Sequence, residues 1–189
     1  APAPPPTAAP AEDGWAVQGC NGTPGSGDNT AEALAAVSWE PFLASALPTS
    51  PDLGPAAVED PVRRCFKHSP AGAVVAAATI VLTTHTPGVG ERVLERQVVA
   101  GPGREEWASA LAAEPASAPA TIAAYRVNAC SPAACNIALI AFGQGLYAES
   151  VLPMVWVDGD WKVDGSRLLP AGGIVQGIPT GFTPWGAQP

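Results

Sequence analysis

The sequence predicts an α+β fold in which helices pack on one face of a curved four-stranded antiparallel sheet. Residues 70–84 are apolar with a helical period, and residues 91–113 add apolar pairs spaced four residues apart. The apolar period changes to two over residues 123–129, and further strand-like segments follow up to residue 163. Because the helices precede the strands and short turns separate the strands, we expect a meander covered by the helices.

The first 65 residues contain little periodic structure. Residues 1–14, APAPPPTAAPAEDG, are rich in Pro and Ala, which predicts an extended, semi-rigid tether. Prolines and glycines interrupt residues 15–65 repeatedly, so we expect an irregular arm packed on the core. Only residues 31–37 favour a helical turn or two, and residues 38–43 supply aromatic anchors.

The first strong helix signal runs from Pro70 to about Thr84. Ser69 is a favoured N-cap residue, and Pro70 suits the first helical position. Apolar residues cover nearly the whole circumference, so this helix should be buried on more than one side. Residues 91–99 predict a second helical stretch, and residues 104–113 a third after a Gly-Pro-Gly break.

Four strands are predicted after the helices. Residues 123–129 alternate between apolar and polar side chains, as in a half-exposed strand, whereas residues 136–142 are apolar on both faces, as in a central strand. Residues 146–157 and 161–163 are joined by Asp158-Gly159, a strong signal for a two-residue hairpin turn.

These elements predict one domain with appendages. The chain of 189 residues is long enough for one core. The predicted parts are a tether (1–14), an arm (15–65), an α+β domain (66–170) and a C-terminal tail (171–189).

Charge and hydropathy exclude several classes of function. Nine basic against 17 acidic residues give a formal charge of −8, which disfavours nucleic-acid binding. The longest apolar run, residues 71–82, is shorter than the roughly 20 residues that a membrane-spanning helix needs. The N-terminus lacks the basic and apolar regions of a signal peptide. We therefore expect the soluble part of a longer exported protein.

The four cysteines favour disulfides, with free buried thiols as the alternative. Cys130 and Cys135 flank Ser-Pro-Ala-Ala between two apolar runs, so a hairpin would bring them within disulfide reach. Cys20 and Cys65 would then pair by elimination. Disulfides imply an oxidising, extracytoplasmic compartment. Although Val17-Gln-Gly-Cys20 looks like a lipoprotein acylation site, a Pro-rich stretch precedes it, so lipidation is not expected.

The sequence contains none of the catalytic and metal motifs HExxH, GxxxxGK[ST] and GxSxG. Ser69 beside His68 could be a nucleophile and base, but N-capping explains the serine. Asp158 and Asp160 could be paired carboxylates, but turn chemistry explains the first and solvent exposure the second. We therefore predict no catalytic residues, no metal site and no cofactor.

The order of helices and strands resembles the cystatin-like, nuclear-transport-factor-2-like (NTF2-like) cone. Four stretches, ALPTSPDLGP, CFKHSPAGAVVAA, VLPMVWVDGDWKV and GFTPW, resemble a narrower family of exported actinobacterial proteins associated with integrative and conjugative elements. In that family glycine usually stands at the position of Cys65, so a Cys20–Cys65 bridge would be peculiar to this member. The resemblance implies a membrane-anchored domain outside the cytoplasmic membrane, similar in plan to conjugation-channel scaffold domains.

The expected function is non-enzymatic assembly with protein partners of the cell envelope or conjugation apparatus. One alternative is a small-ligand-binding or hydrolytic domain, because cone folds often enclose a pocket. A second alternative is a secreted, free-standing inhibitor-like protein. The candidate pocket residues are Tyr125, Asn128, His85 and Glu149.

Two further sets of residues have competing interpretations. His85 falls near a helix C-terminus, where a partial positive charge is favourable, and this explains it without catalysis. Trp15, Trp39 and Trp185 lie in the irregular arms, where a tryptophan either anchors the arm to its own domain or docks on a partner.

Overall fold

A computed structural model describes residue 20 and residues 30–59, 61–86, 88–113, 120–167 and 172–187. The predicted tether and Trp15 lie outside these described residues. Within them the chain forms an α+β fold, as predicted. The helices are α1 (Thr30–Ala35), α2 (Pro70–Thr84), α3 (Gly90–Gln97) and α4 (Pro102–Ala113). The strands are β1 (Ser38–Phe42), β2 (Ser45–Thr49), β3 (Ala57–Glu59), β4 (Val62–Arg64), β5 (Thr121–Cys130), β6 (Ala134–Gly143), β7 (Leu146–Val157), β8 (Asp160–Val163), β9 (Ile174–Val175) and β10 (Thr183–Pro184).

The main sheet contains six strands in the part of the chain that the structure describes. Its order is β10-β5-β6-β7-β8, and β9 pairs with Tyr147 and Ala148 at the start of β7, on the same edge as β8. Strands β5 to β8 are the predicted antiparallel meander. The prediction of four strands was incomplete, because β9 and β10 have two residues each and such short strands carry no periodic signal.

The turns of the meander set its register. Cys130 pairs with Cys135 across the β5–β6 turn, and Gly143 pairs with Leu146 across the β6–β7 turn. Between β7 and β8, Asp158 and Gly159 have φ angles of 54° and 74°, the left-handed conformation that a tight two-residue hairpin turn requires. The Asp-Gly turn is therefore confirmed.

Helix α2 lies at the centre of the domain and matches its predicted bounds. It contacts strands β5 to β8 on one side and α1, α3 and β2 on the others. Except for Pro70, every residue of the helix is buried. The Gly72 backbone passes so close to the preceding loop that a Cβ there would lie 2.0 Å from the carbonyl oxygen of Lys67. Small side chains thus allow the close packing of helix and loop.

The buried threonine hydroxyls of α2 are all satisfied locally. Thr79 donates to the carbonyl of Val75, Thr83 to that of Thr79, and Thr84 to that of Ile80. A buried hydroxyl without a partner would cost free energy, so these bonds let threonine occupy an apolar interior.

The arm is more regular than predicted. It contains α1 and two hairpins, β1–β2 and β3–β4. In β1–β2 the pair Phe42–Ser45 closes the two-residue turn and is hydrogen-bonded. Hydrogen-bonded and non-hydrogen-bonded pairs alternate along an antiparallel ladder, so Pro41 and Pro48 both fall in non-hydrogen-bonded pairs. Proline is tolerated there because its missing N–H would point away from the partner strand. The prolines that indicated irregular structure are therefore compatible with strands.

Both expected disulfides are present, Cys20–Cys65 and Cys130–Cys135. The first joins the N-terminal part of the arm to the segment before α2. Two disulfides indicate an oxidising, extracytoplasmic environment. None of the helices in the described ranges is long and apolar enough to cross a membrane.

The Ser69 side chain caps α2, since its Oγ accepts the N–H of Gly72 at 3.1 Å. We expect Ser69→Ala to lower the free energy of unfolding by about 1 kcal/mol and the melting temperature by roughly 2–4 °C, without changing the function. Thermal unfolding followed by circular dichroism measures both. Ser109→Ala in α4 is the control, because that exposed hydroxyl only bonds back to Glu105 of its own helix. Loss of function at an unchanged melting temperature would instead favour Ser69 as a nucleophile.

Candidate functional site

The Asp160 carboxylate is buried, contrary to the prediction that solvent exposure explains it. The side chain accepts three backbone N–H groups at 2.9 Å: Cys65 on Oδ2, and Phe66 and Trp161 on Oδ1. The residue is 5% exposed. Residues 65 and 66, about 95 positions earlier in the chain, cover the carboxylate. Apolar periodicity in the sequence cannot predict a contact between such distant segments.

The Asp160 bonds hold Cys65 in an unusual backbone conformation. Cys65 has a φ of 66°, in the left-handed region that favours glycine. Burial raises the pKa of Asp160 above its ordinary value, and the backbone N–H donors and the charge of Arg64 oppose this increase. The carboxylate therefore serves as an acceptor for a strained segment that the Cys20 disulfide also restrains.

His68 belongs to an aromatic cluster beside this segment. Its ring stacks on Trp156, with centroids 4.0 Å apart and planes 7° from parallel, and Trp161 meets it edge-on at 5.7 Å. His68 Nε2 lies 2.5 Å from the carbonyl oxygen of Pro132. Since Ser69 Oγ accepts from Gly72 instead, each of the two side chains has its own structural partner.

The motif His68-Ser69-Pro70-Ala71-Gly72-Ala73 thus has a physical explanation. The histidine stacks, the serine caps, the proline starts the helix and the glycine allows close approach to the Lys67 carbonyl. That carbonyl also accepts the indole N–H of Trp161 at 2.9 Å. The motif therefore joins α2 to β8.

The predicted pocket residues do not converge on one place. Tyr125 is buried and meets Trp185 edge-on at 5.8 Å, and burial raises the pKa of its hydroxyl while a hydrogen bond with Thr183 lowers it. His85 is the C-cap of α2, with its ring 6.4 Å from that of Trp107. Tyr125 therefore lies with β10, and His85 at the C-terminal end of α2.

The other two pocket candidates meet around Arg126. The guanidinium donates to Asn128 Oδ1 at 2.6 Å and lies 3.7 Å from Glu149 Oε1. The Phe182 ring covers its other side at 4.3 Å. Because side chains alternate along a strand, Arg126 points to the opposite face of the sheet from Tyr125. The structure thus brings Asn128 and Glu149 together but separates them from Tyr125.

The tryptophans of the arm and tail pack on each other. The rings of Trp39 and Trp185 are 4.8 Å apart, and the Trp185 indole N–H donates to the carbonyl of Leu34 at 3.0 Å. Trp185 is 9% exposed. Both side chains make the contacts expected of anchors that attach β1 and β10 to the core.

A surface that the sequence reasoning missed lies at one end of the sheet. We call it the apolar end. It consists of Leu43, Phe142, Leu146 and Ile174, which are 75%, 38%, 52% and 72% exposed.

Strand pairing places three of these residues at the same end of the sheet, and a hydrogen bond joins the β1–β2 hairpin to that end. Phe142 and Leu146 flank the β6–β7 turn, and Ile174 pairs with Ala148 on the next strand. Ser45, which follows the Leu43 turn, donates its hydroxyl to Ala120 at 2.6 Å, and the next residue, Thr121, pairs with Phe142. The sequence signal was apolar residues beside turns, where polar residues are usual.

Leu43 is the most unusual member of the apolar end. Its φ of 51° lies in the left-handed region, which costs a non-glycine residue about 1–2 kcal/mol. It is also the most exposed large apolar residue in the described ranges. The positive φ fits the two-residue β1–β2 turn, but the exposure of Leu43 does not help the isolated domain to fold.

Comparison with known protein families assigns the chain to a family whose activity is not defined. A family model described as a domain of unknown function, DUF8175, matches residues 1–176. The chain belongs to this family. No curated protein and no solved structure matches the chain. Among the described residues, no cluster of three or more His, Cys, Asp or Glu side chains is placed to hold a metal ion.

Replacing the buried carboxylate tests its structural role. Asp160→Asn exchanges one acceptor oxygen for an NH₂ group that faces a backbone donor, so we expect a loss of about 1–3 kcal/mol in the free energy of unfolding. Urea denaturation measures the change. The control is Asp158→Asn in the adjacent exposed turn, where asparagine tolerates the left-handed backbone and the expected change is within about 0.5 kcal/mol. Equal losses for the two variants would contradict the assignment.

Proposed function

We propose that the chain is a non-enzymatic, extracytoplasmic assembly domain that binds a protein partner of the cell envelope through the apolar end. The single observation that carries this proposal is the group of exposed apolar side chains at one end of the sheet, of which Leu43 is the most exposed. Exposed apolar clusters typically mark interaction sites. The polar groups singled out as catalytic candidates have structural partners, which supports binding rather than catalysis.

A protein surface is the occupant that best fits the chemistry of the apolar end. The chain carries a formal charge of −8, so anionic phospholipid and nucleic acid would both be repelled. The four side chains come from three separate elements: the β1–β2 turn, the β6–β7 hairpin and β9. A surface assembled from several rigid turns suits a shaped protein partner with an apolar core and polar rim.

The setting of this assembly role rests on sequence resemblance. The stretches around His68-Ser69-Pro70 and Asp158-Gly159-Asp160 resemble exported actinobacterial proteins associated with conjugative elements. We therefore propose a role in conjugative transfer, with the domain held outside the membrane by an anchored upstream segment and the Pro-rich tether. The cone-shaped, NTF2-like form of the fold belongs to the same proposal, supported by the helices that precede the meander.

The apolar end is tested by variants that keep the fold. Leu43→Gly fits the positive φ, and Leu146→Thr places a β-branched residue, which favours strands, at the exposed start of β7, so stability should be maintained. We expect the double variant to reduce conjugative transfer of the element at least about tenfold, the effect of losing one hot-spot contact. Val58→Thr is the matched control, because Val58 is also exposed and apolar but lies in the separate β3–β4 hairpin.

The outcomes distinguish the parts of the proposal. Normal transfer by the folded double variant would overturn the role of the apolar end. Normal transfer after deletion of the whole gene would overturn the conjugative role. Flotation of the wild-type protein, but not of the double variant, with phosphatidylglycerol vesicles would show a lipid occupant instead. A double variant that is monomeric where the wild type is dimeric would show that the occupant is a second copy.

The tether and the predicted pocket give a second test. Deleting residues 1–12 should impair transfer, because the reach of the linker determines which partner the domain meets. Replacing His85 and Tyr125 together, as His85→Asn and Tyr125→Phe, should leave transfer nearly intact once circular dichroism confirms folding. The opposite pattern, a dispensable tether and an essential pair, would favour the ligand-binding or hydrolytic alternative.

A further inference from the structure

The two disulfides differ in their access to solvent. Cys20 and Cys65 are both buried, at 3% and 0% exposure. Cys130 is exposed, whereas its partner Cys135 is 3% exposed. Thiol–disulfide exchange needs a thiolate to approach one sulfur along the S–S axis, so access to a sulfur controls the rate. Only Cys130 combines a disulfide with an exposed position.

The elements around Cys130 leave the approach open. Cys130 is the last residue of β5, and on the outer edge of that strand β10 pairs only with Ala124 and Tyr125. Among the described residues, no strand pairs with the outer edge of residues 127–130. Ser131, Pro132 and Ala133 of the adjoining turn are also exposed. A reductant can therefore reach the Cys130 sulfur without unfolding the sheet.

The disulfide contributes little to holding the fold. It closes a segment with a sequence separation of 5, against 45 for Cys20–Cys65, and short loops restrict the unfolded chain least. The β5–β6 ladder continues over many further pairs up to Thr121–Phe142. Opening of this bond therefore leaves the strand pairing in place.

We propose that Cys130–Cys135 is an exchange site for a dithiol of the cell envelope, and that Cys130 forms the mixed disulfide. One thiolate of the dithiol attacks Cys130 Sγ and expels Cys135 Sγ, which takes up a proton. The second thiol of the dithiol then attacks its own sulfur in the mixed disulfide and releases Cys130. The dithiol is oxidised to a disulfide by two electrons, and the Cys130–Cys135 pair is reduced to two thiols.

The turn between the cysteines connects this chemistry to the aromatic cluster. The Pro132 carbonyl oxygen lies within hydrogen-bond distance of His68 Nε2. The Ala133 carbonyl accepts the backbone N–H of Trp156 at 2.9 Å. The carbonyl of Ser131 lies 3.9 Å from both cysteine sulfurs and can accept the S–H of a reduced Cys135. Reduction thus removes one of several restraints on a turn that contacts both His68 and Trp156.

Selective reduction tests the proposal, with the second disulfide as an internal control. The native protein is treated with dithiothreitol, alkylated with N-ethylmaleimide and mapped by mass spectrometry. We expect Cys130 and Cys135 to be labelled at least about tenfold faster than Cys20 and Cys65. Equal rates, or faster opening of Cys20–Cys65, with circular dichroism unchanged, would overturn the proposal.

Two single variants identify the attacked sulfur. Cys135→Ser leaves the exposed thiol, and Cys130→Ser leaves the buried one. With oxidised glutathione we expect a mixed disulfide at Cys130 in the first variant, formed at least about tenfold faster than at Cys135 in the second. Similar rates in the two folded variants would overturn the assignment of Cys130. If either variant fails to fold, the labelling of the wild-type protein still decides which disulfide exchanges.

Discussion

The Asp160 carboxylate is the contact on which the rest of the structure depends. Its oxygens bind the backbone of Cys65 and Phe66, which hold the end of the arm against the start of β8. Phe66 is fully buried as a result, and the following Lys67 carbonyl reaches the indole of Trp161. A buried carboxylate is stable only when its lone pairs find donors, and here three N–H groups supply them. The same bonds position the N-cap and hence α2.

Helix α2 connects this local contact to the rest of the domain. Because nearly all of its side chains are buried, it must be covered on every side, by the sheet on one and by α1, α3 and β2 on the others. The arm is therefore part of the core: Leu34, Leu47 and Leu53 are all essentially buried in it. The Cys20–Cys65 disulfide therefore restrains the arm at a point where separation of the arm from the core would expose α2.

The surface contrasts with the interior around α2 and Asp160. Inside, the hydroxyl, indole and carboxylate groups discussed above have partners, and the histidine stacks on tryptophan. Outside, apolar side chains cluster at the end of the sheet furthest from Asp160, beside the β6–β7 turn, and an accessible disulfide sits at the opposite turn of β6. The proposed partner binding and the proposed disulfide exchange would thus lie at opposite ends of β6.

The sequence by itself determined the features that depend on neighbouring residues. The helical period and N-cap predict α2, the two-residue period predicts β5, and the apolar run of residues 136–142 predicts β6. Asp158-Gly159 predicts the β7–β8 hairpin, and the Cys130–Cys135 spacing predicts a bridged hairpin. For the candidate site, the sequence indicated the motif at residues 68–73 but not the contacts of its residues with Trp156 and Trp161. Only the tertiary structure decided that Asp160 is buried, and that Tyr125 and Glu149 face opposite sides of the sheet. It also decided that the β1–β2 hairpin reaches the end of the sheet where Phe142, Leu146 and Ile174 lie. Periodicity reports which face of an element is apolar, whereas these outcomes depend on which distant segment covers that face.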